Sequence, residues 1–249
     1  MSELSRRAFT NQTLSSLLTF SLLETLCSRD AFSDEIKPVT AQWLKQLHVL
    51  GTEVKGKTLT PVMWQEQVEN LFQQCNLPEL LKFVDFEKLT AKVPYRDQGE
   101  VSLRANFPKV EGLPTNLVFG HQVFALKKDR SVVPHGHENM ATAFLVLQGT
   151  FHGKHYDRLE DANDHMIIKP TIDRSFQAGE HSSISDEKDN VHWFKATSET
   201  AFIFNIHVDG ILPNKRVGRV YIDPMGEKLS DGRIRARKIS SEEVYRKYG

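Results

Sequence analysis

Cysteine is scarce in this sequence, and its scarcity excludes two classes of protein. Only Cys27 and Cys75 occur among 249 residues, and both lie in the N-terminal third. A small secreted domain held together by disulfides needs a denser set, and a thiolate metal cluster needs several cysteines. Neither class fits this chain.

An excess of one charge and a long apolar run are also missing. Lys plus Arg and Asp plus Glu both number 32, so the formal net charge is zero. A nucleic-acid-binding protein normally shows a basic excess or stripe, and this sequence has neither. No run reaches the 18 apolar residues typical of a transmembrane helix. The composition suits a sizeable core and favours a protein that acts on small molecules.

The first thirty residues permit two interpretations. Ser5-Arg6-Arg7-Ala8-Phe9 resembles a twin-arginine export motif and precedes a Leu/Ser-rich run, Leu14–Leu26. That run contains Glu24 and leads into Cys27-Ser28-Arg29-Asp30, which is not a small-residue cleavage site. The alternative is an amphipathic helix. The protein is therefore expected to be cytoplasmic or, if the segment is an export signal, periplasmic. Whether residues 1–30 are removed is left open.

Residues 1–93 are predicted to form a helical N-terminal region, with helical periodicity from about residue 10 to 92. Thr60 and Pro61 form an N-cap and first-turn pair. One face of the helix that follows carries Trp64, Val68, Leu71, Phe72 and Cys75. A helix over Val39–Leu50 is expected to stop ahead of Gly51, and another to start at Pro78.

The sequence pattern changes at residue 94, and the pattern of residues 94–225 predicts a β-barrel. Short runs rich in β-branched and aromatic residues alternate with turn residues, which is typical of a sandwich or barrel. The predicted strands are Leu117–Leu126, Ala143–Leu147, Met166–Ile168, Ala201–Val208 and Val217–Ile222. Residues 226–249 are expected to be a C-terminal tail with a short helix capped by Ser240 or Ser241. Turns are expected at Asp223–Gly226 and Ser230–Gly232.

Two closely spaced histidines carry the main chemical signal. Nine of the ten histidines lie between residues 121 and 207, and His135 and His137 flank Gly136 directly after Pro134. Residues two apart on a strand point to the same face, so both imidazoles should enter the barrel together. His192 follows on a distant strand. Two ligands from one strand and one from another make a facial metal site whose opposite face stays open.

These motifs resemble the cupin superfamily. Pro134-His135-Gly136-His137 through Gly149 is similar to the first cupin motif, and Asn190-Val191-His192 is similar to the histidine of the second. The resemblance implies a jelly-roll barrel and a bound metal. It says much less about the reaction, because one fold hosts many chemistries.

One departure from the cupin motif bears on the chemistry. The usual glutamate would fall at Thr142, seven residues before Gly149. Glu138 directly follows His137 and should point to the opposite strand face. The site is then three neutral imidazoles, which leave a divalent ion its full charge. Such an ion favours an anionic chelating substrate such as a thiolate, carboxylate or enediolate.

Within the cupins, the pattern is most similar to the thiol dioxygenases, in particular the cysteamine dioxygenase branch. The similarity lies in His135-x-His137-x-x-Met140, Val146-Leu147-x-Gly149, Asp157-Arg158-Leu159 and Asp189-Asn190-Val191-His192. The resemblance implies one Fe(II) ion bound by His135, His137 and His192, with a small thiol and dioxygen as substrates and a sulfinic acid as product.

Two other classes of function are kept beside this one. Zinc, nickel or manganese in the same site would suit a hydrolase, lyase or isomerase, and a barrel without turnover would bind a metal or small ligand. The helical N-terminal third is a candidate lid or dimerisation element, and a homodimer is compatible with it. No nucleic-acid partner is expected.

Further residues are candidates for contacts to the substrate. His152, His155 and Tyr156 follow the Gly149 turn, and alternation places His155 on one face and the other two on the opposite face. Any of them, or Thr142, would be a candidate catalytic group. Supporting roles are considered for His207 as a hydrogen-bond partner, for Arg158 and Arg174 as carboxylate partners or exposed ion pairs, and for Trp193 and Phe194 as packing around His192.

Overall fold

The computed structural model describes residues 38–249. The twin-arginine-like segment and the first part of the predicted helical region lie outside the described residues. Within residues 38–249, none of the helices has the length and apolar character needed to cross a membrane.

Within residues 38–249, four helices precede the barrel. They are α1 (Pro38–Lys55), α2 (Pro61–Gln73), α3 (Leu77–Phe83) and α4 (Phe86–Thr90). The predicted cap at α2 is confirmed, since the Thr60 side chain accepts a hydrogen bond from the Met63 N–H. The helix expected from Pro78 is divided in two at Asp85, whose φ is +49°.

The expected end of α1 at Gly51 is wrong. The helix continues to Lys55, and Gly51 lies inside it. A Cβ at this position would lie 2.6 Å from Val118 Cγ1. The glycine therefore marks a close approach between α1 and the segment before the barrel, not a helix stop.

Eleven strands follow in the described part of the chain. They are β1 (Val101–Leu103), β2 (Gly120–Lys127), β3 (Ser131–Glu138), β4 (Met140–Gln148), β5 (Thr150–Asp161), β6 (His165–Gln177), β7 (His181–Ile184), β8 (Val191–Ala196), β9 (Thr200–Asp209), β10 (Gly218–Lys228) and β11 (Ile234–Lys238). One sheet has the order β1-β2-β9-β4-β7, and the other strands form a closed ring, β10-β11-β6-β5-β8-β3. The predicted fold class, a mainly β barrel preceded by helices, is confirmed.

The five-stranded sheet separates two apolar cores. On β9, Phe202, Phe204 and Ile206 belong to the core beneath the helices, whereas Ala201 and Ile203 belong to the core inside the barrel. This alternation is the period-two pattern of a strand buried on both faces.

The C-terminal segment departs from the expected tail. The predicted turn at Asp223–Gly226 lies within β10, where the register with β11 shifts between Asp223 and Glu227. The turn at Ser230–Gly232 joins β10 to β11, and β11 closes the ring against β6. Helix α5 (Ser241–Tyr248) begins as expected, with the Ser240 side chain accepting from the Glu243 N–H.

Candidate metal centre

The barrel interior has an apolar end and a polar end. Large buried side chains, among them Phe144, Phe151, Phe176 and Phe194, fill the apolar part. The three histidines of the predicted site lie at the end where β3 finishes and β8 begins. A polar site on an apolar floor is protected from water on that side.

Adjacent strands bring the three histidines together. In the pairing of β3 with β8, His135 lies opposite His192, and His137 lies two residues further along β3 on the same face. His135, His137 and His192 are 2%, 3% and 1% exposed. One nitrogen from each ring lies within 4.8 Å of the others, and no Asp or Glu within residues 38–249 joins this group.

A bulge in β3 sets the orientation of His135. Between Val132 and His135 the register slips by one residue relative to β8, so the extra residue falls at Val133–Pro134. Proline is tolerated at such a bulge because it donates no ladder hydrogen bond. The Val133 carbonyl accepts from His135 Nδ1 at 2.7 Å. This bond leaves Nε2 as the free acceptor of His135.

Thr142 orients the second ring. Its Oγ1 lies 3.2 Å from His137 Nδ1, and Thr142 is itself buried. With Nδ1 as the donor, His137 Nε2 is the free acceptor, and it lies 2.9 Å from His135 Nε2. The tautomers are assigned from these partners. The residue in the glutamate position therefore contacts a histidine ring.

The His192 ring is held by fewer hydrogen bonds than the rings of His135 and His137. The Asn190 carbonyl, two residues before His192, tends to raise the pKa of His192. His192 Nδ1 nevertheless makes no hydrogen bond of good geometry among the described residues. Phe144 packs against the His192 ring with centroids 5.0 Å apart. Apolar contact thus contributes to holding this ring.

Burial keeps the three rings neutral. Desolvation is the main cause that lowers the pKa of His135 to about 3, followed by the charge of Arg219. Desolvation and then the neighbouring imidazoles hold the pKa values of His137 and His192 well below their ordinary range. Neutral imidazoles with free Nε2 atoms are the form of histidine that binds a metal. The donor set therefore fits a divalent ion.

Asn190 fastens the two ligand strands to each other. Its Oδ1 accepts from the His137 N–H at 3.2 Å, and its Nδ2 donates to the His137 carbonyl at 2.9 Å and to the Ser185 carbonyl at 3.1 Å. Gly136 makes room for it, because a Cβ there would lie 2.7 Å from Asn190 Oδ1. The sequence motif contained Asn190, but no pattern indicated this clamp.

Of the three β5 candidates, the structure brings only His155 to the site. His155 lies opposite His192, is fully buried, and its Nε2 lies 3.4 Å from Ser182 Oγ. Burial, with a smaller contribution from Arg174, lowers its pKa to about 3. Its Nδ1 has no partner among the described residues. A role for His155 in catalysis stays a prediction.

His152 and Tyr156 lie on the other face of β5. His152 Nε2 contacts Asp173 Oδ1 at 2.6 Å in a partly exposed pair. Tyr156 is opposite Val191 and packs in a separate apolar cluster with Met166. The expected alternation along β5 is thus seen, and it directs both side chains away from the three rings.

The remaining candidates are distributed around the site. His207 lies opposite Thr142 and is half-buried, with Asp209 Oδ2 3.8 Å from its Nε2. Phe194 packs near His192, but Trp193 faces the other side and contacts Tyr248, so its expected place under the metal is wrong.

The charged candidates are engaged elsewhere or face away. Glu138 is half-buried opposite Gly218, one residue beyond the inward-facing His137. Arg158 pairs with Asp161 at 3.5 Å, and Arg174 pairs with Glu180 at 2.7 Å. Arg174 matches the exposed ion-pair interpretation, whereas the ion pair of Arg158 is largely buried, with 13% of the Arg158 side chain exposed.

Comparison with known proteins gives only weak likenesses. No protein-family model and no curated protein matches this chain. Procruciferin, an 11S globulin from Brassica napus, matches at 17% identity over 41% of this chain and 22% of its own, with a TM-score of 0.32. A conserved protein with a double-stranded β-helix domain from Klebsiella pneumoniae subsp. pneumoniae matches at 14% identity over 53% and 85%, with a TM-score of 0.34.

A recombinant oxalate oxidase in complex with glycolate matches at 16% identity over 42% of this chain and 46% of its own, with a TM-score of 0.33. This chain thus spans about a fifth of the globulin and less than half of the oxidase. Likenesses of this size carry no argument about activity. The topology and the site themselves show a mainly β chain with a closed barrel and a buried three-histidine group able to hold a metal ion.

Proposed function

We propose that this barrel is a non-heme Fe(II) dioxygenase that oxidises a small thiol, or another small anionic chelating substrate. The observation that carries the proposal is the donor set: three buried, neutral imidazoles without a carboxylate. Neutral ligands leave the ion its full charge, which favours a thiolate over a neutral ligand.

The spacing of the ligand nitrogens supports binding of a single divalent ion. His135 Nε2 and His137 Nε2 are 2.9 Å apart, and one nitrogen from each of the three rings lies within 4.8 Å of the others. Imidazole nitrogens are suited to iron, zinc, nickel and copper alike, so the metal is assigned by analysis of the protein.

The chain's own residues supply position and a dry environment. His135, His137 and His192 would hold the ion, while the Val133 carbonyl and Thr142 fix two of the rings. When bound, Fe(II) supplies sites for substrate and dioxygen on its open face. Both oxygen atoms pass to the sulfur, so a thiol becomes a sulfinic acid and no external reductant is needed.

The test is metal analysis followed by oxygen uptake. Protein purified without added metal is analysed for iron, zinc, nickel and manganese, then loaded anaerobically with Fe(II). Oxygen consumption is followed with cysteamine, cysteine, 3-mercaptopropionate and N-terminal-cysteine peptides, and the sulfinate is identified by mass spectrometry. We expect iron and uptake of one O₂ per thiol.

Two variants provide the comparison. His135→Gln removes a ligand and should abolish both iron binding and uptake. His165 is the first residue of β6, lies outside the site and pairs with Asp164. His165→Gln should leave iron binding and oxygen uptake intact. Tight iron binding without oxygen uptake on any thiol would reject the dioxygenase and favour a binding module. Stoichiometric zinc would favour the hydrolase or lyase alternative.

A further inference from the structure

A glutamine lies on the buried face of α2. Gln65 is 1% exposed. The other buried residues of this helix are apolar, namely Trp64, Val68, Leu71 and Phe72. A buried amide is costly unless its donor and acceptor atoms both find partners. The partners of Gln65 therefore indicate what this position does.

Both ends of the Gln65 amide bind the segment at the end of β7. Its Nε2 donates to the Ser183 carbonyl at 3.1 Å, and its Oε1 accepts from Ser185 Oγ at 2.6 Å. A carbonyl can only accept, so it fixes which end of the amide faces Ser183. Glu69, four residues further along α2, accepts from Ser183 Oγ at 2.5 Å. Helix α2 thus holds Ser183 and Ser185, while Ile184 between them packs in the barrel core.

Ser185 begins the loop that joins β7 to the ligand strand β8. Its Oγ accepts from two N–H groups of the loop at 3.2 and 3.3 Å, and its carbonyl accepts from Asn190 Nδ2 at 3.1 Å. Asn190 in turn binds the N–H and the carbonyl of His137. His192 follows two residues after Asn190. The position of Ser185 therefore bears on two of the three ligands.

The same loop makes a second contact with the end of β3. Asp186 Oδ2 accepts from the Asn139 N–H at 2.8 Å. Asn139 lies between β3 and β4 and has a φ of +58°. The loop thus binds β3 at His137 and again two residues later. A shift of the loop would move this end of β3 with it.

We propose that Gln65 is a positioning residue for the metal centre, which sets the spacing of His137 and His192 by holding Ser183 and Ser185. This role rests on one part of the proposed function, that the three histidines hold a metal, and is independent of the reaction. Hydrogen-bonded groups behind metal ligands typically change metal affinity about 10- to 100-fold. Gln65 acts through two further hydrogen bonds, so the lower end of this range is expected.

The test measures binding of Co(II) rather than turnover. The visible absorption of bound Co(II) reports both the Kd and the arrangement of the ligands. Gln65→Met keeps the length of the side chain and removes the amide. It should raise the Kd about tenfold and change the Co(II) spectrum. Combined with Ser185→Ala, it should add less than the sum of the two single effects, because both act through one hydrogen bond.

Two other variants of α2 serve as controls. Gln67→Met makes the same substitution at an exposed position, and Val68→Ala removes packing from a fully buried one. Val68→Ala should lower stability, and both variants should change the Kd by less than about twofold. An unchanged Kd in Gln65→Met, or an equal increase in Val68→Ala, would overturn the proposal. Full additivity with Ser185→Ala would also overturn it.

Amide hydrogen exchange separates failure of this proposal from failure of the metal centre. If the unaltered protein binds no Co(II), the metal centre fails, and Gln65 is then tested in the metal-free protein. The His137 N–H donates to Asn190 Oδ1 and the Asn139 N–H to Asp186 Oδ2, so both report on the loop. Faster exchange at these two amides in Gln65→Met, with exchange between β5 and β6 unchanged, would support the role. Unchanged or uniformly faster exchange would reject it.

Discussion

Thr142 stands where the cupin motif carries a glutamate, and its hydroxyl lies 3.2 Å from His137 Nδ1. A carboxylate at this position would reduce the charge of a bound ion by one unit, whereas a hydroxyl orients the neighbouring imidazole and leaves the charge unaltered. The substitution therefore changes both the ligand count and the charge of the centre.

Replacing Thr142 with valine should weaken metal binding. The change keeps the shape of the side chain but leaves the buried His137 Nδ1–H without its acceptor. We expect metal affinity to fall about 10- to 100-fold, the range for lost supporting hydrogen bonds. The free energy of unfolding should fall by about 1–3 kcal/mol. Competition with a chelator gives the first quantity and urea unfolding the second.

Thr142→Ser is the matched control, because it keeps the hydroxyl and removes one methyl group. It should retain metal affinity near that of the unaltered protein while losing some packing energy. Equal loss of affinity in the serine and valine variants would mean that the hydroxyl does not orient His137.

The sequence was informative about this residue only up to a point. The spacing to Gly149 predicted that Thr142 occupies the position of the motif's glutamate. The sequence also predicted that the three histidines lie on two strands. The partner of the hydroxyl depends on the register of β4 and on the β3 bulge at Val133–Pro134. A bulge shifts facing residues by one, and local pattern does not encode it.

At the level of strands, the site is held by the clamp that Asn190 makes between β3 and the segment before β8. This buried amide makes three hydrogen bonds: it accepts from the His137 N–H and donates to the carbonyls of His137 and Ser185. Ser185 Oγ in turn donates to Gln65 Oε1 on α2 at 2.6 Å. A continuous polar connection thus joins the helical layer to a ligand strand.

Asn190→Asp should loosen this connection while preserving size. The carboxylate cannot donate to the carbonyls of His137 and Ser185, and its oxygen would face theirs. We expect a loss of about 2–5 kcal/mol in the free energy of unfolding, since two buried bonds are lost and a charge is buried. Metal affinity should fall as well, because the spacing of His137 and His192 depends on the clamp. Thermal unfolding and chelator competition measure these effects.

Asn106→Asp provides the comparison at an exposed asparagine. It introduces the same charge outside the barrel and should change stability by less than about 0.5 kcal/mol. An Asn190→Asp protein as stable as this control would show that the clamp contributes nothing to the barrel.

Helices and strands could be predicted where the hydrophobic periodicity and the capping residues indicated the same boundaries. The cap at Thr60, the strands on β4 and β9, and the cap at Ser240 all follow from local chemistry. The exceptions have tertiary causes. Gly51 lies within α1 and allows the close approach of Val118, and β11 is held by long-range pairing with β10 and β6.

For the molecule as a whole, the buried histidines link stability to pH. His135 and His155 both have pKa values lowered from 6.5 to about 3, mainly by desolvation. In the unfolded chain, these rings protonate near the ordinary value. Between these two values the unfolded state therefore binds more protons than the folded state, and stability falls as the pH falls.

The metal-free protein should consequently lose stability steadily on acidification below about pH 6.5. Each such histidine contributes a slope of at most about 1.4 kcal/mol per pH unit, so His155→Leu should reduce the total slope by about that amount. Urea unfolding at pH 7, 6 and 5 measures it. Because the folded rings stay neutral in this interval, bound metal should be released together with unfolding and not before it. Release of metal from protein that is still folded at pH 5, judged by circular dichroism, would contradict the burial argument on which the neutral donor set depends.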